Sequence, residues 1–118
     1  MSTQLKINVY EIVGGDSAIA VEDGEALFSR IKNAISNGVD TEVNFANVNL
    51  IVSSFLNAGI GQLYGEFDEI LLKSKLKVTG LSEDDQELLV KVIKRAKEYF
   101  AKKETFNKVI KENLGDDT

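Results

Sequence analysis

Between Val43 and Gly65 the chain reads VNFANVNLIVSSFLNAGIGQLYG, an apolar strand pattern that runs through two adjacent serines into a glycine-rich helix. A buried-strand pattern that runs straight into a helix points to an α/β arrangement. The flanking segments extend this pattern. Leu5, Ile7 and Val9 alternate with Lys6, Asn8 and Tyr10, as in a half-buried strand, and Ile12-Val13 carry the apolar character up to Gly14-Gly15-Asp16. The Gly-Gly-Asp triplet predicts a hairpin turn, with Ala18 to Val21 returning as a short antiparallel strand.

Asp23 is placed to cap a helix whose apolar positions Leu27, Phe28, Ile31, Ala34 and Ile35 share one face, and Asn37-Gly38 supplies its stop. Val39 to Val48 follows as a strand centred on Val43 and Phe45. Its nearly unbroken apolar continuation through Leu50-Ile51-Val52 is the pattern of a central strand covered on its faces. The next helix is expected to run from Ser53 or Ser54 to about Phe67. Gly59, Gly61 and Gly65 each weaken it by up to ~1 kcal/mol relative to alanine, so close approach of its backbone to the sheet is the expected compensation. Leu76 and Val78 mark a further strand.

Ser82-Glu83-Asp84-Asp85 has the form of a capping box and opens a long helix. Its stripe of Leu89, Val92, Ile93, Ala96, Tyr99 and Phe100 packs on the domain, while Lys91, Lys94, Arg95 and Lys97 mostly point away. The stripe resumes with Phe106, Val109, Ile110 and Leu114. An unbroken helix from 82 to 114 spans about 50 Å, longer than a domain of this size covers. A break near Thr105 is therefore expected, or else a protruding helix that needs a partner. This divides the chain into an α/β domain over 1–103 and a helical extension over 104–118, of which Gly115 to Thr118 should fray.

The 118 residues provide one core, and no apolar run reaches the length of a membrane span. The N-terminus lacks a cationic segment ahead of an apolar stretch, so a cytoplasmic location is expected. The chain has no cysteine and no histidine, which removes disulfides, thiolate metal sites and the usual general base. A serine nucleophile needs a base to take its proton, so no enzymatic activity and no cofactor is expected. Glu66, Asp68 and Glu69 lie close in sequence but where helix meets loop, and they read as solvated rather than as a metal site. Gly59-Ile60-Gly61 falls inside a helix, so it is not a nucleotide-binding glycine loop.

The formal charge is −5 and the pI about 4.8, which argues against nucleic acid as a partner. The charge is uneven: residues 1–90 hold 6 basic and 14 acidic side chains (−8), and residues 91–118 hold 8 basic and 5 acidic ones (+3). A solvated helix face accounts for the basic excess, and a docking face for an acidic partner is the alternative.

The order of strand, apolar turn, paired serines and small-residue helix resembles the STAS fold of bacterial anti-sigma-factor antagonists, which switch partners when a serine is phosphorylated. It resembles more closely a STAS-like family of unknown function, in which an N-F or D-F strand, a small loop and S-S-F opening a helix correspond to Asn44-Phe45, Asn47-Val48 and Ser53-Ser54-Phe55. The similarity covers roughly Val21 to Gly80. It implies a STAS-like α/β fold, with a mixed sheet of about four to five strands, helices packed mainly on one face and a long C-terminal helix. It also implies Ser53 as the phosphoacceptor position, Ser54 as its neighbour, and a partner-binding surface of Ser53, Ser54, Phe55 and Asn57. In the antagonists an aspartate typically precedes the phosphoacceptor and a glycine follows the pair; Val52 and Phe55 stand in those places here.

A serine hydroxyl at an N-cap stabilises its helix by ~1 kcal/mol, which explains one serine without any regulation. A phosphoryl group there instead adds about −1.5 to −2 charge at the positive end of the helix and disrupts any surface docked over it. Three functions follow. The first is a regulatory module that binds a protein partner, such as a kinase-type ATPase. The second is an assembly domain that forms a homo-oligomer through its C-terminal helix. The third is an anion or nucleotide site at the helix start.

Overall fold

The computed structural model describes residues 4–114, with side chains described for 4–112. The expected fraying of Gly115 to Thr118 lies outside the described residues. The elements run β1 (Gln4–Asn8), α1 (Val9–Val13), β2 (Ser17–Ala18), α2 (Val21–Ser36), β3 (Asp40–Asn44), β4 (Leu50–Ile51), α3 (Ser53–Gly59), a 3-10 turn (Gly61–Gly65), α4 (Glu69–Lys75), β5 (Leu76–Thr79) and α5 (Glu83–Leu114). The strands form two small sheets, β1-β3-β5 and β2-β4, and every pairing among them is parallel.

Register gives the three-stranded sheet two unlike faces. Leu5, Thr41 and Leu76 align in one row and Ile7, Val43 and Val78 in another, and these rows face the core, with Ile7 and Val43 fully buried. The alternate rows are Lys6, Glu42, Lys77 and Asn8, Asn44, Thr79. The Thr79 hydroxyl donates to Glu42 at 2.8 Å and the Asn44 amide to Asn8 at 3.5 Å. β3 is central, but only one of its faces is apolar, because Asp40–Asn44 alternates polar and apolar residues instead of remaining apolar.

The hairpin predicted at Gly14-Gly15-Asp16 does not form. Val9–Val13 turns through a short helix, and Gly14 ends it at φ 72° with its N–H donating to the Tyr10 carbonyl at 2.9 Å. α1 carries the chain off the edge of β1, so Ser17–Ala18 pairs with Leu50–Ile51 in parallel instead of folding back. The Asp16 carbonyl accepts from Asn49 at 2.8 Å, and the Ala18 carbonyl accepts from Val52 at 3.2 Å.

α2 starts at Val21, capped by Ala20 without a side-chain bond, so Asp23 lies inside the first turn rather than at the cap. Beside Glu22 it favours the positive helix end by charge alone. The predicted stop holds, with Gly38 at φ 73°. The glycine-rich helix also differs from expectation. It is broken at Ile60 into α3 and the 3-10 turn, and its closest approach is to α2 rather than to the sheet. A methyl group on Gly24 would lie 2.9 Å from the Phe55 carbonyl oxygen, and one on Gly59 would lie 2.9 Å from Leu27 Cδ2. Bare backbone on both helices sets this crossing.

α5 starts as predicted, with Ser82 Oγ accepting from the Asp85 N–H at 3.2 Å. Leu89, Val92 and Ala96 are buried against the domain, whereas Tyr99 is 59% exposed and does not join the packed stripe. The predicted break near Thr105 is absent. AKKETFNK contains no Gly or Pro, and the helix continues through it. Every residue from 101 to 112 is exposed, so α5 extends past the body of a molecule 52 Å long. Among the described residues no helix is long and apolar enough to cross a membrane.

Candidate functional site

β4 leads through Val52 directly into α3. Val52, extended at φ −107° and ψ 155°, is the N-cap, which places Ser53 and Ser54 in the first turn of the helix. Both serines are exposed, and α3 has no side-chain capping bond. Capping therefore does not account for either serine. Asn57, one turn further, is also exposed, and its Oδ1 lies where a methyl group on Gly61 would come within 2.6 Å.

Phe55, expected in the partner surface with these three, belongs to the core instead. It is fully buried and meets Phe45 edge-to-face with ring centroids 6.5 Å apart. The helical period turns position 55 inward while 53, 54 and 57 stay outside.

Ser53, Ser54 and Asn57 form one rim of a groove of about 550 Å³. Gln62 from the 3-10 turn continues that rim, and α5 forms the opposite wall with Arg95, Tyr99 and Phe100 above Val92 and Ala96. Beyond Phe100 the groove opens into a second cleft of about 620 Å³ between α2 and α5, which also touches Ser54, Asn57 and Gln62. Gly65 permits this junction, because a methyl group there would lie 2.6 Å from Phe100 Cζ. Tyr99 and Phe100 meet edge-to-face at 5.0 Å.

Charge is graded along the groove. At the serine end the only ionised lining residue is Arg95. The far cleft has Glu25 and Glu66 on one side and Lys103 on the other, with Glu66 paired to Lys32 at 3.3 Å. A group added at Ser53 enters a space that is part apolar and lined by one guanidinium and no carboxylate, whereas Ser54 also borders the far cleft with Glu25 and Glu66.

The remaining acids have separate partners. Asp68 caps α4 by accepting from Leu71 N–H at 2.7 Å, and Glu69 accepts from Lys97 at 2.7 Å with Lys73 at 3.5 Å. The Lys97 hydrogen bond holds the Glu69 carboxyl below its ordinary range. Lys97 was expected to point away. Instead it is half-buried and lies 5.7 Å over the Tyr64 ring. Burial pushes the Tyr64 hydroxyl up, and Lys97 partly offsets this. Among the described residues no three acids gather to hold a metal.

Among the groove residues that sequence reasoning missed are Arg95 and Tyr99. The signal was their spacing of four on the edge of the Val92–Ala96 stripe, which places both on one flank of α5.

No curated protein matches the chain, and no solved structure does. Residues 23–86 match the family described as a STAS-like domain of unknown function (DUF4325), a span that contains β3, β4, both serines, α3, α4 and β5. With more than half of its length in that match, the chain belongs to the STAS-like DUF4325 family.

Proposed function

We propose that the protein is a non-enzymatic docking module that receives a protein partner in the groove between α3 and α5, and that phosphorylation at Ser53 or Ser54 releases this partner. The observation that carries the reading is the pair of exposed serines on the groove rim, outside any capping bond, facing Arg95. Their hydroxyls hold nothing in the fold together, so modifying them leaves the domain intact.

The chemistry follows from the lining. A partner that covers Tyr99 and Phe100 excludes water from the groove, and a phosphoryl group of about −1.5 to −2 charge cannot be enclosed there without losing its hydration. Arg95 strengthens the switch, since a guanidinium pairs with phosphate in two-pronged geometry and is then unavailable to the partner. The non-enzymatic reading is supported by the side chains beside the serines, which are two amides, an arginine and the rings of Tyr99 and Phe100 over two small apolar residues.

The test is capture from a cell extract by the unmodified protein, by Ser53→Ala and by Ser53→Asp, with phosphopeptide mapping of the bait. A protein held by the first two and lost by Ser53→Asp, at unchanged melting temperature, is the expected result. Equal capture by all three variants refutes the switch.

A further inference from the structure

We infer that a second copy of this chain occupies the groove, each copy laying the protruding end of its α5 into the groove of the other about a twofold axis. The inference rests on the groove and not on modification of the serines.

The first argument is continuity. Tyr99, Lys103, Phe106 and Ile110 follow at spacings of four, three and four, which keeps them on one flank of α5. Tyr99 and Lys103 line the groove, while Phe106 and Ile110 carry the same flank past the end of the domain, 62% and 38% exposed. The wall of the groove thus continues as a ridge on which Phe106 and Ile110 are exposed.

The second argument is helix stability. Residues 101–112 are helical yet exposed throughout, whereas most helical stability in proteins comes from packing one face.

The third argument is charge. The end of α5 carries Lys102, Lys103, Lys108 and Lys111 against Glu104 and Glu112. The cleft that receives it is lined by Glu25, exposed on α2, and by Glu66, and Glu22 stands exposed in the first turn of the same helix. A basic ridge with an apolar edge and an acidic cleft with an apolar floor thus lie on one chain. A ridge continuous with its own groove wall cannot fold back into that groove, so a twofold pair is the arrangement that fills both grooves and covers both ridges with identical contacts.

The test uses the full chain. Sedimentation at micromolar concentration should give a particle of twice 13.0 kDa. Phe106→Glu and, separately, Ile110→Lys should each weaken association at least about tenfold, as expected for a central apolar anchor, without loss of the cooperative melt of the domain. The chain lacks cysteine, so Asn57→Cys protein mixed with Ile110→Cys protein should join through a short bis-maleimide linker more efficiently than either protein alone. A monomeric wild type, a dimer indifferent to both α5 variants, or linkage of position 110 to 110 in place of 57 to 110 overturns the inference. A monomer whose captured protein is still released by Ser53→Asp defeats this inference alone and leaves the docking reading standing.

Discussion

Ser53→Ala and Ser82→Ala remove the same hydroxyl from the first residues of two helices, and the structure assigns them different costs. Ser82 Oγ accepts the Asp85 N–H at 3.2 Å, so its loss leaves an orphan donor and costs about 1 kcal/mol. Ser53 lies one position inside α3, after the Val52 cap, where there is no such bond. Replacing it loses no bond, and alanine's better helix propensity returns a few tenths of a kcal/mol, roughly 0.5 at most. At about 2.1 cal/mol/K per residue the unfolding entropy of this chain is roughly 0.25 kcal/mol/K, so 1 kcal/mol moves the midpoint by about 4 °C. Calorimetry at neutral pH should therefore show Ser82→Ala about 4 °C below wild type and Ser53→Ala between no change and about 2 °C above it. If Ser53→Ala falls as far as Ser82→Ala, the Ser53 hydroxyl is a structural cap, and the claim that charge there alters recognition without altering the fold fails.

Gly24→Ala gains helix propensity but drives a methyl group to 2.9 Å from a backbone carbonyl. Overpacking of about 1–3 kcal/mol should exceed the ~1 kcal/mol gain and lower the denaturation midpoint, and a stabilised variant would show that α2 and α3 have room to part. Because Lys97 holds the Glu69 carboxyl below its ordinary value of 4.5, its contribution is present above that pH and is lost as pH falls through the lowered value. The stability gap between wild type and Glu69→Gln should accordingly narrow in acid titrations, and a gap constant down to complete unfolding would contradict the pairing. Tyr64 has the opposite sign. Its raised value keeps its contribution intact below 10.0 and loses it at higher pH, so Tyr64→Phe should flatten the alkaline limb of the stability curve.

The α/β class, the strand-to-serine-to-helix junction, the stop at Gly38 and the start of α5 at Ser82 were legible because each rests on a local rule of period or cap. The Gly14-Gly15 hairpin failed for an instructive reason. A glycine with positive φ ends a helix as readily as it turns a hairpin, and nothing in VYEIV reveals a helical turn formed against its β-branched preference. α4 went unrecognised although Asp68-Glu69 before Ile70-Leu71-Leu72 is a readable N-terminal signal, and Asp68 does cap it. The serines themselves were found from the sequence, but the groove was not. Its far wall comes from α5, some forty residues away, and the exposure of Tyr99 depends on where that helix crosses α3.

Parallel pairing throughout also shapes how this chain acquires its structure. No strand can be zipped to its neighbour by a tight turn: Gln4 must wait for Asp40, Ser17 for Leu50, and Thr41 for Leu76. Each ladder therefore closes a long loop before any hydrogen bond repays the entropy, which favours slow folding. During synthesis β3 stays one-sided until Thr79 has left the ribosome, and the nascent chain shows a bare strand edge for most of its translation.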